Sequence, residues 1–285
     1  MKKGILIFAH NSRDVDYALM SLVSAKFAKT NLQVPVSLIA DRFTVEWMRT
    51  SDIYNLSQEI FDKIIEIEKP VTQNTRVLHD GYTSKNVPFV NSNRASVWDL
   101  TPYDKTLLID SDFLIMSDRL NEYWDVDSSV MLSPAMKDVR GDRKGILDSW
   151  VSETGIPLYW ATTVMFTKNN ESKIFFDLVD VIRTNYNYFS DLFRFNPKQY
   201  RNDISFSIAK HMLNGFETRG ENLPPILTLL DTDLIHSVEK NQLRVYLNDS
   251  MSEDHVVITA IKDSDVHVMN KQSIIRNAKE FLEVL

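Results

Sequence analysis

Two carboxylates one residue apart close an apolar run in Leu107-Leu-Ile-Asp110-Ser111-Asp112, and a second apolar run, Phe113 to Met116, follows at once. A buried strand that runs into Asp-x-Asp presents both carboxylates at its exposed end. Hard divalent cations take such oxygen ligands, and Mg²⁺-like ions commonly bind one or two carboxylates together with the phosphates of a substrate. The bare triplet also fits a strand end with solvated acids. Its apolar flanks and the residues before and after it favour the ion-binding reading.

The elements that must position the pair are legible as alternating patterns. Gly4 to Ala9 is a short β-rich apolar run, expected to be a buried parallel strand. Asp16 to Lys29 carries a helical apolar stripe, with Asp14 or Asp16 as its cap. Val34 to Ala40 reads as a second strand ending at Asp41, Thr44 to Thr50 as a short helix, and Phe61 to Ile67 as a third strand. Arg94 to Leu100 suits a helix stopped by Thr101-Pro102, and Lys105 to Ile109 a fourth strand. Alternating strands and helices predict an α/β fold with a mostly parallel, doubly wound central sheet flanked by helices. Ligands in such sheets sit beyond the carboxyl ends of the strands, where His10, Asn11, Asp41 and Asp110 to Asp112 fall. His10-Asn11 also reads as a turn, and Asp41 equally as a helix cap.

Further along, Trp160 to Thr167 reads as a strand and Glu171 to about Tyr188 as one helix. Another helix begins near Gln199, capped by Asn202 or Asp203, and Ile274 to Leu285 suits an amphipathic terminal helix. Two loops are rich in cations: one holds Arg140, Arg143 and Lys144, the other Arg194, Lys198 and Arg201 with Phe195 and Tyr200 between them. Basic residues mixed with aromatics suit phosphates and bases, although solvated loops have the same composition.

The chain has 285 residues, of which 44% are hydrophobic and 25% charged, enough for a large core. It has no cysteine, so disulfides and thiolate metal sites are excluded, in keeping with a reducing, cytoplasmic setting. The apolar stretch after Met1-Lys-Lys is only about six residues long, short for a secretory signal, and reads as the first strand. No run approaches the roughly 20 apolar residues of a membrane helix. A net charge of −7 disfavours nonspecific nucleic-acid binding by the whole surface but leaves room for a local basic face.

Arg94 on its helix, Trp98, Leu100, Tyr103-Asp-Lys105 and then Leu-Leu-Ile-Asp110-Ser-Asp112 resemble the core of GT-A nucleotide-sugar glycosyltransferases of the glycogenin and galactinol-synthase kind. Thr163-Val-Met-Phe resembles a later strand of that family, Asn202-Asp203 its helix start near sugar and acceptor, and Asp265-Val-His267-Val-Met-Asn-Lys271 its late His motif. The order holds from about residue 4 to 270. The chain departs from the family at Trp160-Ala-Thr-Thr, at Ile204 in place of Gln, and after Lys271. The resemblance implies a Rossmann-like GT-A catalytic domain over 1–285 with a smaller acceptor-side lobe, 1–118 being the nucleotide-binding half and 119–285 the acceptor-side half with the late metal-ligand motif.

It also implies a uridine diphosphate sugar as donor. Asp41 or the backbone near His10 and Asn11 would meet the uridine. Asp110 and Ser111 would lie near ribose and metal, and Asp110, Asp112 and His267 would hold Mn²⁺ or Mg²⁺. Arg94 and Lys271 would meet the diphosphate, and Asp203 would be the carboxylate near the anomeric carbon, as base or as charge stabiliser. Asp203 is equally a helix cap, and His236 competes with His267 as a ligand. The segments Gly4 to Arg13, Val34 to Asp41, Thr44 to Met48 and Arg76 to Gly81 resemble predicted glycosyltransferases of T-even-type bacteriophages. That narrower resemblance implies a phage protein of the host cytoplasm whose acceptor is hydroxymethylated cytosine in DNA, with an arabinosyl or glucosyl transfer. Alternatives are a glycan, lipid or protein acceptor, or a noncatalytic nucleotide-sugar-binding phage protein. A phosphatase of the haloacid-dehalogenase type also uses apolar-Asp-x-Asp, but places it on the first strand.

Overall fold

The structure is a computed structural model that describes residues 1–284 except 69–73, 80–82, 91–93, 142, 144–146, 154, 197–198, 218–219 and 249–255. Asn93, Lys144 and Lys198, with Asp80 and Gly81, therefore lie outside the described residues. Strand β1 (Lys3–Ala9) is buried from Gly4 onward, as a parallel strand covered on both faces must be. Helix α1 (Tyr17–Leu32) starts at Asp16, whose side chain accepts from the Leu19 amide. After β2 (Val36–Asp41), α2 (Arg42–Thr50) and α3 (Tyr54–Ile60) lead into β3 (Lys63–Ile67). Strands β4 (Thr75–His79) and β5 (Ser84–Pro88) pair as an antiparallel hairpin. A 3₁₀ turn, Arg94–Ser96, runs into a single helical turn, α4 (Val97–Leu100). Strand β6 (Lys105–Ile109) and the two-residue β7 (Phe113–Leu114) then flank the Asp-Ser-Asp turn.

The second half holds β8 (Val130–Ser133), β9 (Met136–Asp138), β10 (Trp160–Thr167), α5 (Asn170–Thr184), α6 (Tyr186–Phe193) and α7 (Asn202–Leu213). It closes with β11 (Ile226–Leu229), β12 (Leu234–Glu239), β13 (Gln242–Asn248), β14 (Val256–Lys262), β15 (Val266–Val268), α8 (Lys271–Arg276) and α9 (Ala278–Glu283).

The central sheet has the order β3-β2-β1-β6-β10-β8. Its first four strands are parallel; β10 pairs antiparallel with β6, and β8 antiparallel with β10, so β10 alone runs against the others. This is the mixed α/β architecture, a mostly parallel sheet flanked by helices, that the alternation of elements predicts. Helix α1 packs on β1 and β2 with α8 and α9 against it, and Phe27 meets Phe281 edge to face at 5.6 Å. Helix α7 packs on β10 and α5, where Phe206 meets Phe175 at 5.5 Å and Phe176 at 6.0 Å. The chain winds outward from β1 through β2 to β3, then returns to place β6 on the other side of β1. The strand order reverses between β1 and β6, so the crevice for a ligand opens at their carboxyl ends.

A second sheet, β7-β15-β11-β9, ties the late part of the chain to the end of β6. Three expected helices differ in detail. The helix after β10 breaks at Asn185 into α5 and α6, and the terminal helix breaks at Asn277 into α8 and α9. The cap position of α7 is Arg201 rather than Asn202 or Asp203, which both lie inside its first turn. Gly4 is required at its position. A Cβ there would meet ring atoms of Tyr103 at 2.4 Å. Tyr103 cannot retreat, being buried with its hydroxyl 2.6 Å from Ser37 Oγ. Gly4→Ala is expected to lower stability by about 1–3 kcal/mol through overpacking. Urea denaturation reads the change, and an unmoved midpoint would contradict this packing.

Candidate metal and diphosphate site

The apolar β6 ends at Ile109, and the turn after it is fixed from three sides. The Asp110 amide donates to Thr162 O at 3.0 Å, the Phe113 amide to Asp110 O at 3.1 Å, and Ser24 Oγ of α1 to Ser111 O at 2.7 Å. Strand β7 pairs antiparallel with β15, putting His267 opposite Phe113, and the Val268 amide donates to Asp112 O at 2.9 Å. This short pairing carries His267 to the carboxylates across some 150 residues of chain. One ligand atom from each of Asp110, Asp112 and His267 lies within 4.8 Å of the others. His236 is exposed on β12 against Tyr246, outside this cluster.

Each carboxylate already has a cation. Arg94 donates through Nη2 to Asp110 and through Nη1 to Ala161 O at 2.5 Å. Lys271, the first residue of α8, donates to Asp112. His267 Nε2 stands 3.3 Å from the other Asp112 oxygen. Burial opposes the charge on Asp112, yet Lys271 and His267 hold its carboxyl well below the usual range. Burial, with the nearby charge of Arg76, pushes Lys271 down to about 8, against the pull of Asp112. His267 Nδ1 is buried without a hydrogen-bond partner. Two carboxylates and one imidazole on a converging turn are a donor set that fits Mn²⁺ or Mg²⁺.

The cluster floors a cavity of about 460 Å³, whose lining includes His10, Arg76, Arg94, Ser111, Trp160 and Asp203. His10 follows β1 and its Nδ1 lies 2.8 Å from Asp41 Oδ2. Asp41 itself is fully buried beneath His10 and does not line the cavity. It caps α2 through the Thr44 amide at 3.0 Å. Burial opposes its charge, but the bonds from His10 and Thr44 hold its carboxyl below the ordinary value. The expectation that Asp41 meets a base is therefore corrected: any effect on a ligand passes through His10. Asn11 is corrected likewise. Its side chain accepts from the Ala18 amide at 2.8 Å and donates to Asp16 at 3.1 Å, fastening the start of α1.

On the far wall, Asp203 accepts from the Ala161 amide at 2.8 Å, so its carboxylate docks α7 on β10 while lining the cavity. Its other oxygen lies 3.5 Å from Arg201, which also donates to Asp148 at 2.6 Å. The two cationic loops part company. Arg143 is buried and donates to Asp138 and, at 2.7 and 2.9 Å, to Asp233. This corrects its expected place at a DNA phosphate, because the guanidinium is consumed inside the fold. Arg194 is exposed, and Arg201 faces the cavity. Arg76, Tyr17 and Phe89 also line the cavity; none was a candidate site residue, although Arg76 opens a segment that resembles the phage enzymes. Only the hairpin, formed by chain pairing, brings Arg76 there.

No protein-family model and no curated protein matches the chain. Among solved structures, it is similar to the apo-form glycosyltransferase GlyE of Streptococcus pneumoniae TIGR4, with 15% identity, 78% of this chain and 45% of that one covered, and a TM-score of 0.43. It is similar to the galactosyltransferase LgtC in complex with donor and acceptor sugar analogues, with 14% identity, 73% and 70% covered, and a TM-score of 0.45. It is also similar to mouse xyloside xylosyltransferase 1, with 10% identity, 76% and 83% covered, and a TM-score of 0.44. The chain thus spans less than half the length of GlyE. No described helix is long and apolar enough to cross a membrane.

Removing the Arg143 charge strands two buried carboxylates. Arg143→Met is expected to cost about 3–5 kcal/mol of stability. Thermal unfolding reads it; a variant as stable as the parent would return Arg143 to the surface role.

Proposed function

We propose that the chain transfers a sugar from a uridine diphosphate sugar to an acceptor hydroxyl. The observation that carries the reading is the convergence of Asp110, Asp112 and His267 at the carboxyl end of β6, with Arg94 and Lys271 on the two carboxylates. Asp110, Asp112 and His267 would hold the divalent ion. When bound, that ion supplies positive charge to the donor's diphosphate. Arg94 and Lys271, partners of the carboxylates otherwise, then face the diphosphate oxygens. Charge builds on these oxygens as the glycosidic bond breaks, and cations fixed by burial stabilise it without reorganising.

His10, held by Asp41, and Ser111 border the nucleoside end of the cavity. Asp203 is the carboxylate assigned to the sugar end. With one oxygen bound to Ala161 N, its other oxygen is the one placed to take the acceptor proton or to stabilise a cationic sugar. For the acceptor we propose the hydroxymethyl group of modified cytosine in phage DNA. That choice is supported by the sequence resemblance of the opening segments. Arg201, 5.9 Å from the Trp160 ring, gives the cavity a charged and aromatic edge compatible with a nucleotide acceptor.

The test incubates the protein with hydroxymethylcytosine-containing DNA, Mn²⁺ and a panel of UDP-sugars, followed by mass spectrometry of the nucleosides. A pentose or hexose mass on the modified cytosine is expected. Asp112→Asn is expected to reduce transfer by at least about 100-fold while leaving the fold intact. Unmodified DNA with UDP-sugar still bound would move the acceptor to a glycan, lipid or protein. Undiminished transfer by Asp112→Asn would overturn the site.

A further inference from the structure

Among the described residues, four cationic side chains line the cavity: Arg76, Arg94, Arg201 and Lys271. Three have carboxylate partners there. Arg94 pairs with Asp110, Lys271 with Asp112, and Arg201 with Asp148 and Asp203. Among the described residues, Arg76 pairs with no carboxylate, and its Nε is buried without a hydrogen-bond partner. It is not a surface cation that strayed inward. In β4 the side chains alternate, so Val77 is 59% exposed on the outer face while Leu78 is buried. Arg76 instead stacks its guanidinium 4.6 Å from the centroid of Phe89, beyond β5, and lines the cavity with it. The stack fixes the plane of the guanidinium, the Tyr17 hydroxyl lies beside it, and its terminal amino groups can meet a planar or tetrahedral oxyanion. The hairpin is itself anchored across the cavity, since Gln199 donates to Thr75 O and the Tyr200 amide to Asn74 Oδ1 at 3.3 Å.

A charge count gives this cation its meaning, and it rests on the donor reading above. A divalent ion satisfies Asp110 and Asp112. Arg94 and Lys271 then match the two phosphates of the donor, one charge each. Arg201 keeps its carboxylates. Arg76 is left over, and an unpaired half-buried guanidinium is costly unless a ligand completes it. We propose that Arg76 binds a negative charge additional to the diphosphate, a carboxylate or phosphate carried by the transferred sugar or by the acceptor. Arg76 is thus a specificity-determining residue: it selects substrates with one more anionic group than a neutral UDP-sugar and a neutral acceptor bring.

Two titrations on the full chain test this, each on the parent protein, Arg76→Gln and Arg76→Lys. The first compares UDP, UDP-glucose and UDP-glucuronic acid with Mn²⁺ present. The second adds inorganic phosphate to protein saturated with Mn²⁺ and UDP. The parent is expected to bind UDP-glucuronic acid at least about tenfold more tightly than UDP-glucose if the sugar carries the charge. It is expected to bind phosphate beside UDP if the acceptor carries it. Either gain should vanish in Arg76→Gln and persist in part in Arg76→Lys, with UDP affinity within about twofold of the parent in both. Equal binding in both titrations whatever residue 76 is, or a loss of UDP affinity in Arg76→Gln as large as that of UDP-glucuronic acid, overturns the proposal. Failure of the parent to bind UDP at all would remove the donor reading beneath it, and the proposal with it.

Discussion

Two carboxylates one residue apart, one of them buried, cannot remain ionised without positive charge close by. Most of the arrangement around the crevice follows from that requirement. Asp112 is met by Lys271 from the start of α8 and by His267 from β15, and Asp110 by Arg94 from the turn before β6. Arg94 lies just before β6 whereas His267 and Lys271 lie near the end of the chain, so the topology has to return late residues to an earlier strand. The β7–β15 pairing, two residues long, does so by locking the register of His267 to that of the Asp-Ser-Asp turn. The central sheet supplies the other half of the condition, with a reversal of strand order between β1 and β6 that opens a crevice above both.

The same electrostatics explains why the walls differ in kind. The floor is a set of ion pairs whose members, in the proposed function, exchange partners when an ion and a diphosphate bind together. The far wall is built of carboxylates already used by the backbone, as when Asp203 docks α7 on β10. The roof brings a cation that has no carboxylate partner among the described residues, Arg76, on a hairpin fastened to the opposite side. A site with movable pairs on the floor and an unmatched cation above fits a ligand that carries negative charge at more than one point.

What could be read from the residues, and what could not, divides along the range of the interactions. Buried parallel strands announce themselves by unbroken apolar runs, so β1, β2 and β6 and the carboxylates at the end of β6 were legible. Local caps were half legible: Asp16 acts as expected, whereas the cap position of α7 is Arg201, because Asp203 is drawn to Ala161 N. Breaks at Asn185 and Asn277 were not, since an apolar stripe continues past each. Asp41, Asn11 and Arg143 have the residue types of a binding site, yet each spends its polar atoms on the fold. The choice of His267 over His236 depends on which strand pairs with β7. Arg76 gains its place from a hairpin with little apolar signature, so its segment was marked only by a family resemblance and not as part of a site.

In the proposed function, Asp110, Asp112 and His267 form an ion site whose own cations are drawn off by a diphosphate. Titration of Mn²⁺ into the protein, followed by the loss of the free-ion paramagnetic resonance signal, tests it most directly when run without and with saturating UDP. Binding is expected to be weak alone and at least about tenfold tighter with UDP, a coupling of ordinary size between two sites. Mn²⁺ binding of equal strength with and without UDP, or none in either case, would contradict it.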